Sequence, residues 1–590
     1  MKKIIKLSGI IAMAALLFCF IACDNSTTSP DSPNIGITVQ PTTPEATADD
    51  SIGTLTPIDP VTFTVKVGGF LDNADALAVG LDISLDGVSF KGHDTRGNAV
   101  NGVKTFTVTV SYNGVQEFPS GTASIIISGL TNLPADYTDS HGTINKKVTI
   151  IDGHTTDRAI PVNAANVGEF NTYARSANGL KRHYKLTENV TLNPPQASAI
   201  SNWREIGSDT GANGTFSGSF DGQGNTITGL VYNNPNAYFQ GMFGCIGVSG
   251  IVKNTGLVDC SIGDDYEHNG RARTIGGIAG RSDGIVENCY TSGSVSGGNS
   301  LEVGGVVGEN RGTVINCYST CDIYHDFVVG GIVGENYSYT TINGMVINCY
   351  FTGSIEGKNT IGGIAGRNYS AIENCYSTGS FIGSGDYVGG IAGVSNGTLI
   401  NCYSTGSVEG KEQVGGITGR NDKTLKDCYS TGNIKGIKDV GGIAGRNDAT
   451  IETCYSLSSI TGKENVGGIV GLMLDATINN CVAFNKNLTV EDSYFGSIGR
   501  ITGNIFGTFT NNYAWSGMTI MDDDNPVVPV SGANLKDGVD LSKAQLKAQA
   551  EWVNAGFSFD ADSPWKWTEG KMPHLFAGDA CDWPDWLADI

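Results

Sequence analysis

Charge is scarce in this chain, and positive charge is the scarcer kind. Only 16% of the 590 residues are charged, and 37 basic side chains stand against 59 acidic ones for a formal net charge of −22. A protein that grips a phosphate backbone needs a positive footprint, so nucleic acid is excluded as a partner. Proline is sparse at 17 residues, without a collagen-like period, which excludes a triple helix. Beyond the first 22 residues no apolar run approaches the ~20 residues that cross a bilayer. There is no His-Glu-x-x-His, and no Gly-x-Ser-x-Gly elbow or Walker-type loop stands out, so none of those chemistries is announced and no cofactor is implied. What the chain has in excess is glycine, 82 residues or about twice the usual ~7%, within a composition that is 39% hydrophobic and able to support a core.

The start of the chain reads as an address. Lys2, Lys3 and Lys6 precede the apolar stretch Leu7–Ala22, which ends in Phe20-Ile21-Ala22-Cys23. These residues resemble a bacterial lipobox, with Phe20 where leucine is usual. The resemblance implies cleavage before Cys23, lipidation of Cys23, and attachment to a membrane through N-terminal acyl chains. Residues 1–22 are then a signal peptide and the product is exported, to the outer membrane or cell surface. Residues 23–57, rich in Ser, Thr, Pro and Asp, read as a disordered tether. Over 58–155, short runs alternate in polarity, such as Val61, Phe63, Val65, Val67 and Phe106, Val108, Val110, Tyr112. They predict an immunoglobulin-like β-sandwich without a disulfide, acting as a spacer.

The main signal is an internal repeat. A Gly-Gly pair recurs at 276, 304, 330, 362, 389, 415, 441 and 467, in strings such as Val440-Gly441-Gly442-Ile443-Ala444-Gly445-Arg446-Asn447. A second element follows, typified by Leu399-Ile400-Asn401-Cys402-Tyr403-Ser404-Thr405-Gly406. A period near 26 residues, broken by glycines and β-branched residues, is expected to fold as one coil of a parallel β-helix with three short strands. About ten such coils at ~4.8 Å each predict a rod on the order of 50 Å long. The fold class expected is therefore all-β: the sandwich, an N-terminal cap and opening coils over 156–235, the β-helix over 236–518, and a C-terminal cap and tail over 519–590.

These repeats resemble the GLUG motif, and the stretch from about 160 to 578 resembles one recurrent bacterial surface-protein arrangement that opens on Phe216-Ser217-Gly218-Ser219-Phe220-Asp221-Gly222. The resemblance implies a shape and a location. GLUG repeats occur in adhesin-like surface proteins and beside the catalytic domain of immunoglobulin A-cleaving metalloproteases, whose zinc motif this chain lacks.

Three columns repeat once per coil. Cys289, Cys317, Cys349, Cys375, Cys402, Cys428, Cys454 and Cys481, with Cys260 as an earlier member, are expected to be a stack of small buried thiols; Cys321 is the cysteine expected to depart from this and form a disulfide. Tyr290, Tyr318, Tyr350, Tyr376, Tyr403, Tyr429 and Tyr455 follow the cysteines and are expected to face outward as an aromatic stripe, either a glycan track or a stabilising stack. The third column, Arg281, Glu309, Glu335, Arg367, Val394, Arg420 and Arg446, predicts pairing of Arg281 with Glu309 and of Glu335 with Arg367. The neighbouring Asn310, Asn336, Asn368, Asn421 and Asn447 are expected at a turn, in left-handed geometry.

The function this favours is a lipid-anchored, monomeric surface rod that binds a glycan or an extracellular protein without catalysis. The alternative is a carbohydrate-active enzyme, a lyase or hydrolase, on the same scaffold. It would require clustered carboxylates or a base, for which the loop Asp264-Asp265-Tyr266-Glu267-His268 with Arg271 and Arg273, and His325 with Asp326, offer themselves. Asp522-Asp523-Asp524-Asn525 lacks the spaced ligands of a calcium loop. At the C-terminal end Ser542 and Gln545 read as a capping box, and Trp552, Trp565 and Trp567 as the bulk of a cap. Trp583 and Trp586, in an acidic tail, leave a carbohydrate patch open.

Overall fold

In the computed structural model, the described residues are 34–41, 51–68, 79–85, 88–91, 103–112, 118, 121–133, 138–139 and 143–588, the last apart from 197–198, 209–213, 235, 264–273, 299, 340–341, 492–496, 505, 533–534 and 576–579. The signal segment and Cys23 lie outside them. The chain divides into two units, one drawn mainly from its first 148 residues and one comprising the solenoid.

The first unit is built on two sheets. In one, Val61–Gly68 lies between Asn34–Pro41 and Val103–Val110, antiparallel to both. The other orders Ser51–Leu55, Ile144–Ile150, Thr122–Thr131, Gly80–Leu85 and Val88–Lys91. Alternation drives the layering: Phe63, Val65 and Val67 are buried, as are Phe106, Val108 and Val110, with polar neighbours turned out. The stretch expected to be a tether is corrected here. Asn34–Pro41 and Ser51–Leu55 are strands; in the first, Ile35, Ile37 and Val39 alternate with Gly36, Thr38 and Gln40, the period of a strand inside an otherwise polar stretch.

The solenoid is a stack of short parallel strands. Thirteen strands, from Ile160–Val162 to Gly507–Thr510, form one of its sheets, which sets about thirteen coils where ten were expected. The additional coils include those of Ile160–Val162 and His183–Leu186, which lead in parallel register into Ser219–Asp221 of the expected opening coil, all without the Gly-Gly marker. A representative coil holds five strands rather than three: Glu412–Gly415, Thr418–Asn421, Thr424–Lys426, Tyr429–Ser430 and Ile434–Lys435. Val414, Ile417, Leu425, Cys428 and Ile434 point inward and are buried. Glycine is required where coils approach most closely. A Cβ at Gly441 would lie 2.0 Å from the Ala444 carbonyl oxygen, and one at Gly442 2.0 Å from that of Gly468. Inside the coil, Thr291 donates from its hydroxyl to the Gly305 carbonyl at 2.9 Å, and Ser430 makes the same bond to Gly442.

At the N-terminal end the helix Val167–Tyr173 carries Phe170 into the core, 4.9 Å from the Tyr184 ring and 5.5 Å from that of Phe220. At the other end the chain first adds Val539–Leu541 beside Tyr513–Trp515. Ser542 and Gln545 then close a capping box on the helix Lys543–Leu546, and Gly556, at φ +93°, ends the helix Gln549–Asn554. Among the described residues no helix is long and apolar enough to cross a membrane.

Candidate functional site

The site grows out of the triplet Asn-Cys-Tyr. Asn288, Asn316, Asn348, Asn374 and Asn401 sit in left-handed conformation, with φ between 51° and 55°, a geometry asparagine tolerates. That kink turns the following cysteine into the core, the tyrosine out, and the next residue, Ser or Thr in each coil but that of Phe351, back in. It also corrects an expectation: Asn310, Asn336, Asn368, Asn421 and Asn447 are not the left-handed residues. They are buried in strands, where Asn310 Nδ2 donates to Asn336 Oδ1 at 2.9 Å and Asn336 Nδ2 to Asn368 Oδ1 at 2.9 Å.

The cysteines from 289 to 481 are buried free thiols. Cys289 N donates to Cys317 Sγ at 3.4 Å, and the step repeats at Cys317, Cys349 and Cys402. Burial pushes the Cys289 thiol up, which keeps it protonated and unreactive. Two expectations fail. Cys260 is not a ladder member: Gly256 pairs with Tyr290, which puts Thr255 in the ladder position, while Cys260 pairs with Gly293. Cys321 is a free thiol, in hydrogen-bond contact with Cys260.

The seven tyrosines form one continuous stack. Successive ring centroids from Tyr290 to Tyr455 lie 4.8–4.9 Å apart, with interplanar angles of 2° to 9°. The rings therefore cover each other's faces and offer solvent only their edges and hydroxyls. The first ring is closed as well, since a Cβ on Gly256 would lie 2.2 Å from Tyr290 Cζ. Tyr290, Tyr318, Tyr350 and Tyr376 are half-buried, and burial beside like rings raises the pKa of Tyr318 and Tyr350, so both hydroxyls remain proton donors at neutral pH.

The expectation of an outward stripe along the whole array is corrected over its last three members. Tyr403, Tyr429 and Tyr455 are 7%, 2% and 1% exposed. The C-terminal segment does not merely close the end of the coil stack; it lies against the side of the ladder. Leu546, Trp552, Phe557, Trp565, Leu575 and Trp583 form one buried cluster with these tyrosines. Trp552 meets the Tyr455 ring edge-on at 5.4 Å and 76°, Tyr455 Oη donates to the Pro573 carbonyl at 2.6 Å, and Trp565 Nε1 donates to Asp427 Oδ1 at 2.9 Å. Trp567 and Trp586 pack at the edge of the same cluster.

Beside the open tyrosines the same broad sheet carries hydroxyls. An open groove of about 460 Å³ is lined by Ser261, Ser294, Ser296, Asp322, Tyr324, Ser354 and Glu356. Asp322 pairs in register with Ser354, and Tyr324 with Glu356, so the two carboxylates lie on neighbouring coils of one face. The groove escaped sequence reasoning because it depends on which residues of neighbouring coils stand in register.

On another side, Arg281 stands beside Glu309 in register but makes its ion pair with Asp283 at 2.7 Å, and Glu309 binds Arg311 at 2.6 Å. Glu335 and Arg367 approach to 4.0 Å. Burial, with Glu335 and Glu309 nearby, pushes the Glu302 carboxyl up to about 7, against the opposing hydrogen bond from Thr274 Oγ1 at 2.8 Å.

Of the residues singled out for catalysis, only His325 and Asp326 are among the described ones. The loop from Asp264 to His268, with Arg271 and Arg273, lies outside the described residues. His325 is buried and bonded through Nδ1 to the Gly297 carbonyl, and burial lowers its pKa. Asp522 to Asn525 form a tight hairpin turn with Asp523 at φ 51°. Among the described residues no group of three or more His, Cys, Asp or Glu is placed to hold a metal ion.

Comparison with known proteins agrees with the repeat. The family described as "The GLUG motif" matches residues 326–356 and 357–382, and the chain is a GLUG-repeat β-helix protein. The chain is 27% identical over 203 residues to "Halomucin" of Haloquadratum walsbyi, covering 33% of this chain and 2% of that protein. It is 28% identical over 106 residues to a "Putative Gly-rich membrane protein" of Evansella cellulosilytica, covering 18% of this chain and 12% of the relative. Each match thus spans only a small part of the relative's length. A crystal structure of a "putative immunoglobulin A1 protease" from Bacteroides ovatus is similar at 18% identity and a TM-score of 0.30, over 72% of this chain and 95% of that one.

Proposed function

We propose that this protein is an exported, non-enzymatic binding rod, held at a cell surface through lipidated Cys23 and engaging an extracellular macromolecule along the side of its solenoid. One observation carries the reading: a ladder of seven stacked tyrosines that the chain closes with its own C-terminal segment over three coils and leaves open over the others. The open stretch sets a line of ring edges and hydroxyls beside a hydroxyl-lined groove, a surface that an extended macromolecule can follow along the coils. The GLUG repeats and a relative named as a membrane protein support a surface location.

The test has two arms. Metabolic labelling with a palmitate analogue should mark the parent and miss a Cys23→Ser variant, and protease applied to intact cells should remove the solenoid epitope. The purified chain from Asp24 onward should retain ligands from extracellular material in a solid-phase assay. Protection of the epitope on intact cells would sink the surface reading; a labelled Cys23→Ser variant would sink the anchor alone.

A carbohydrate-active enzyme is the second reading, favoured by Asp322 and Glu356 on neighbouring coils of the groove. Release of new sugar ends from a polysaccharide panel, abolished by Asp322→Asn and by Glu356→Gln, would replace the binding rod with it.

A further inference from the structure

We propose that the open part of the tyrosine ladder, Tyr290 to Tyr376, docks an extended polypeptide segment that carries aromatic side chains. The proposal rests on the binding-rod reading and names the class of partner.

The geometry of the rings decides between a sugar and a peptide. A sugar ring stacks its C–H face on the face of an aromatic ring. Here every face is taken, because neighbouring tyrosines lie 4.8–4.9 Å apart and within 5° of parallel over this stretch, and Gly256 closes the first. What remains is a ruled line of ring edges and hydroxyl donors, one per coil. A ring edge carries the positive end of the aromatic quadrupole and attracts the face of another aromatic ring or a carbonyl oxygen. Indoles and a peptide backbone supply both.

The chain already shows this docking on the neighbouring coils of the same ladder. Trp565 lies beside Tyr429 and Tyr455 at 6.1 and 5.5 Å, the Pro573 carbonyl accepts from the Tyr455 hydroxyl, and Trp552 stands at 76° to the Tyr455 ring. The covered and open stretches are one continuous surface at one spacing, and Tyr376 packs at the border of the cluster. Two residues before each open tyrosine stand Asn288, Asn316, Asn348 and Asn374, where the covered Tyr429 coil has Asp427, so a partner meets amides at that position.

The test uses the full mature chain and a labelled synthetic peptide copying residues 562–575, which hold Trp565, Trp567 and Pro573. Anisotropy should show saturable binding, lost at least tenfold when the peptide carries Trp565→Ala and Trp567→Ala. A chain with Tyr318→Ser and Tyr350→Ser should bind at least tenfold more weakly. A second chain with Tyr318→Phe and Tyr350→Phe, which keeps the stack and its edges, should lose no more than about threefold; this variant guards against misfolding of the serine pair. Cello- and chito-oligosaccharides should not compete.

No binding of the peptide, or binding indifferent to Tyr318 and Tyr350, overturns the proposal while leaving surface display and ligand retention as they were. Oligosaccharide binding that depends on those two tyrosines also overturns it and makes the ladder a glycan site. Loss of surface display would instead remove the reading on which the proposal stands.

Discussion

Coils that carry Tyr290, Tyr318 and Tyr350 and coils that carry Tyr403, Tyr429 and Tyr455 share a motif, a strand register and a ring spacing, yet only the second group is sealed from water. Nothing within the coil makes the difference. It comes from Leu546, Trp552 and Trp565, about 100 residues further along the chain, which settle on one part of the ladder. In a repeat protein the repeat sets what each coil offers, and a non-repeated segment decides which coils offer it. Function is therefore to be sought where the repeat is left bare.

The comparison breaks most visibly at its buried end. Tyr455→Ala deletes a ring enclosed by Trp552, Phe557, Trp565 and Phe484 and strands the Pro573 carbonyl that its hydroxyl satisfied. The expected cost is about 3–5 kcal/mol, the range for truncating a large buried aromatic. Solenoids do not unfold as one unit, so the loss should be concentrated in the C-terminal segment. Hydrogen exchange over 541–575 should accelerate while that of 280–350 stays as in the parent; equal acceleration in both would show that the cap and the ladder are not a local unit.

A carboxyl among the open coils gives the next effect. Glu302 is held at about 7 in the folded protein, from an ordinary 4.5, chiefly by burial. Because the folded state keeps the proton longer, its stabilisation is complete below about 4.5 and is lost as pH rises from there to about 7. A shift of that size corresponds to up to ~3 kcal/mol. The coils around Thr274, Glu302 and Glu335 should therefore exchange amide hydrogens more slowly at pH 5 than at pH 8, after correction for intrinsic rates. Glu302→Gln should reduce that difference, with burial of Glu335, whose carboxyl is also pushed up, sustaining the remainder, and leave the covered coils as they were.

The same ring truncated in the open half should matter less. Tyr318→Ala removes a half-buried ring with stacked neighbours on both sides at 4.8 Å, and about 1–2 kcal/mol is expected from its two ring contacts. A urea transition of the solenoid should shift accordingly. A shift as large as that of Tyr455→Ala would mean that the open rings are as essential to the fold as the sealed ones, and would undercut their assignment to binding.

Much of this was legible in the sequence, for physical reasons that also mark its limits. The Gly-Gly pair announced the coils because no other residue fits where Gly441 and Gly442 meet the backbones of Ala444 and Gly468. The earliest coils could not be counted, since Ile160–Val162 and His183–Leu186 are ordinary short strands. Strands of two residues, such as Tyr429–Ser430, are too short to show a period, which is why three strands were expected and five are found. Asparagine misled because it serves two tasks here, the left-handed kink at Asn288 and the buried amide ladder at Asn310. Cys260 was placed by residue type rather than by register, which a bulge between Leu257 and Cys260 had shifted. The position of the cap was beyond reach, because tryptophans announce burial without naming their partner.

The finest difference lies in one coil under the cap. The open coils and the covered Tyr403 coil carry asparagine before the cysteine, as at Asn374 and Asn401, whereas Tyr429 has Asp427, whose carboxylate accepts from Trp565 Nε1 at 2.9 Å. Burial under the cap raises the Asp427 pKa, against the lowering effect of the Trp565 bond. The docked cap thus favours the protonated acid, and its hold is strongest below the ordinary carboxyl value of 3.8 and weakens as pH rises through the raised value. Asp427→Asn keeps a carbonyl oxygen for the indole and removes the charge, which makes this coil like the open ones. Tryptophan fluorescence of the cap, followed through urea at several pH values, should then show a flat profile where the parent loosens with rising pH. This effect is expected to be smaller than that of Tyr318→Ala. A parent profile already flat across the acid range would mean that the cap is held by the aromatic contacts alone.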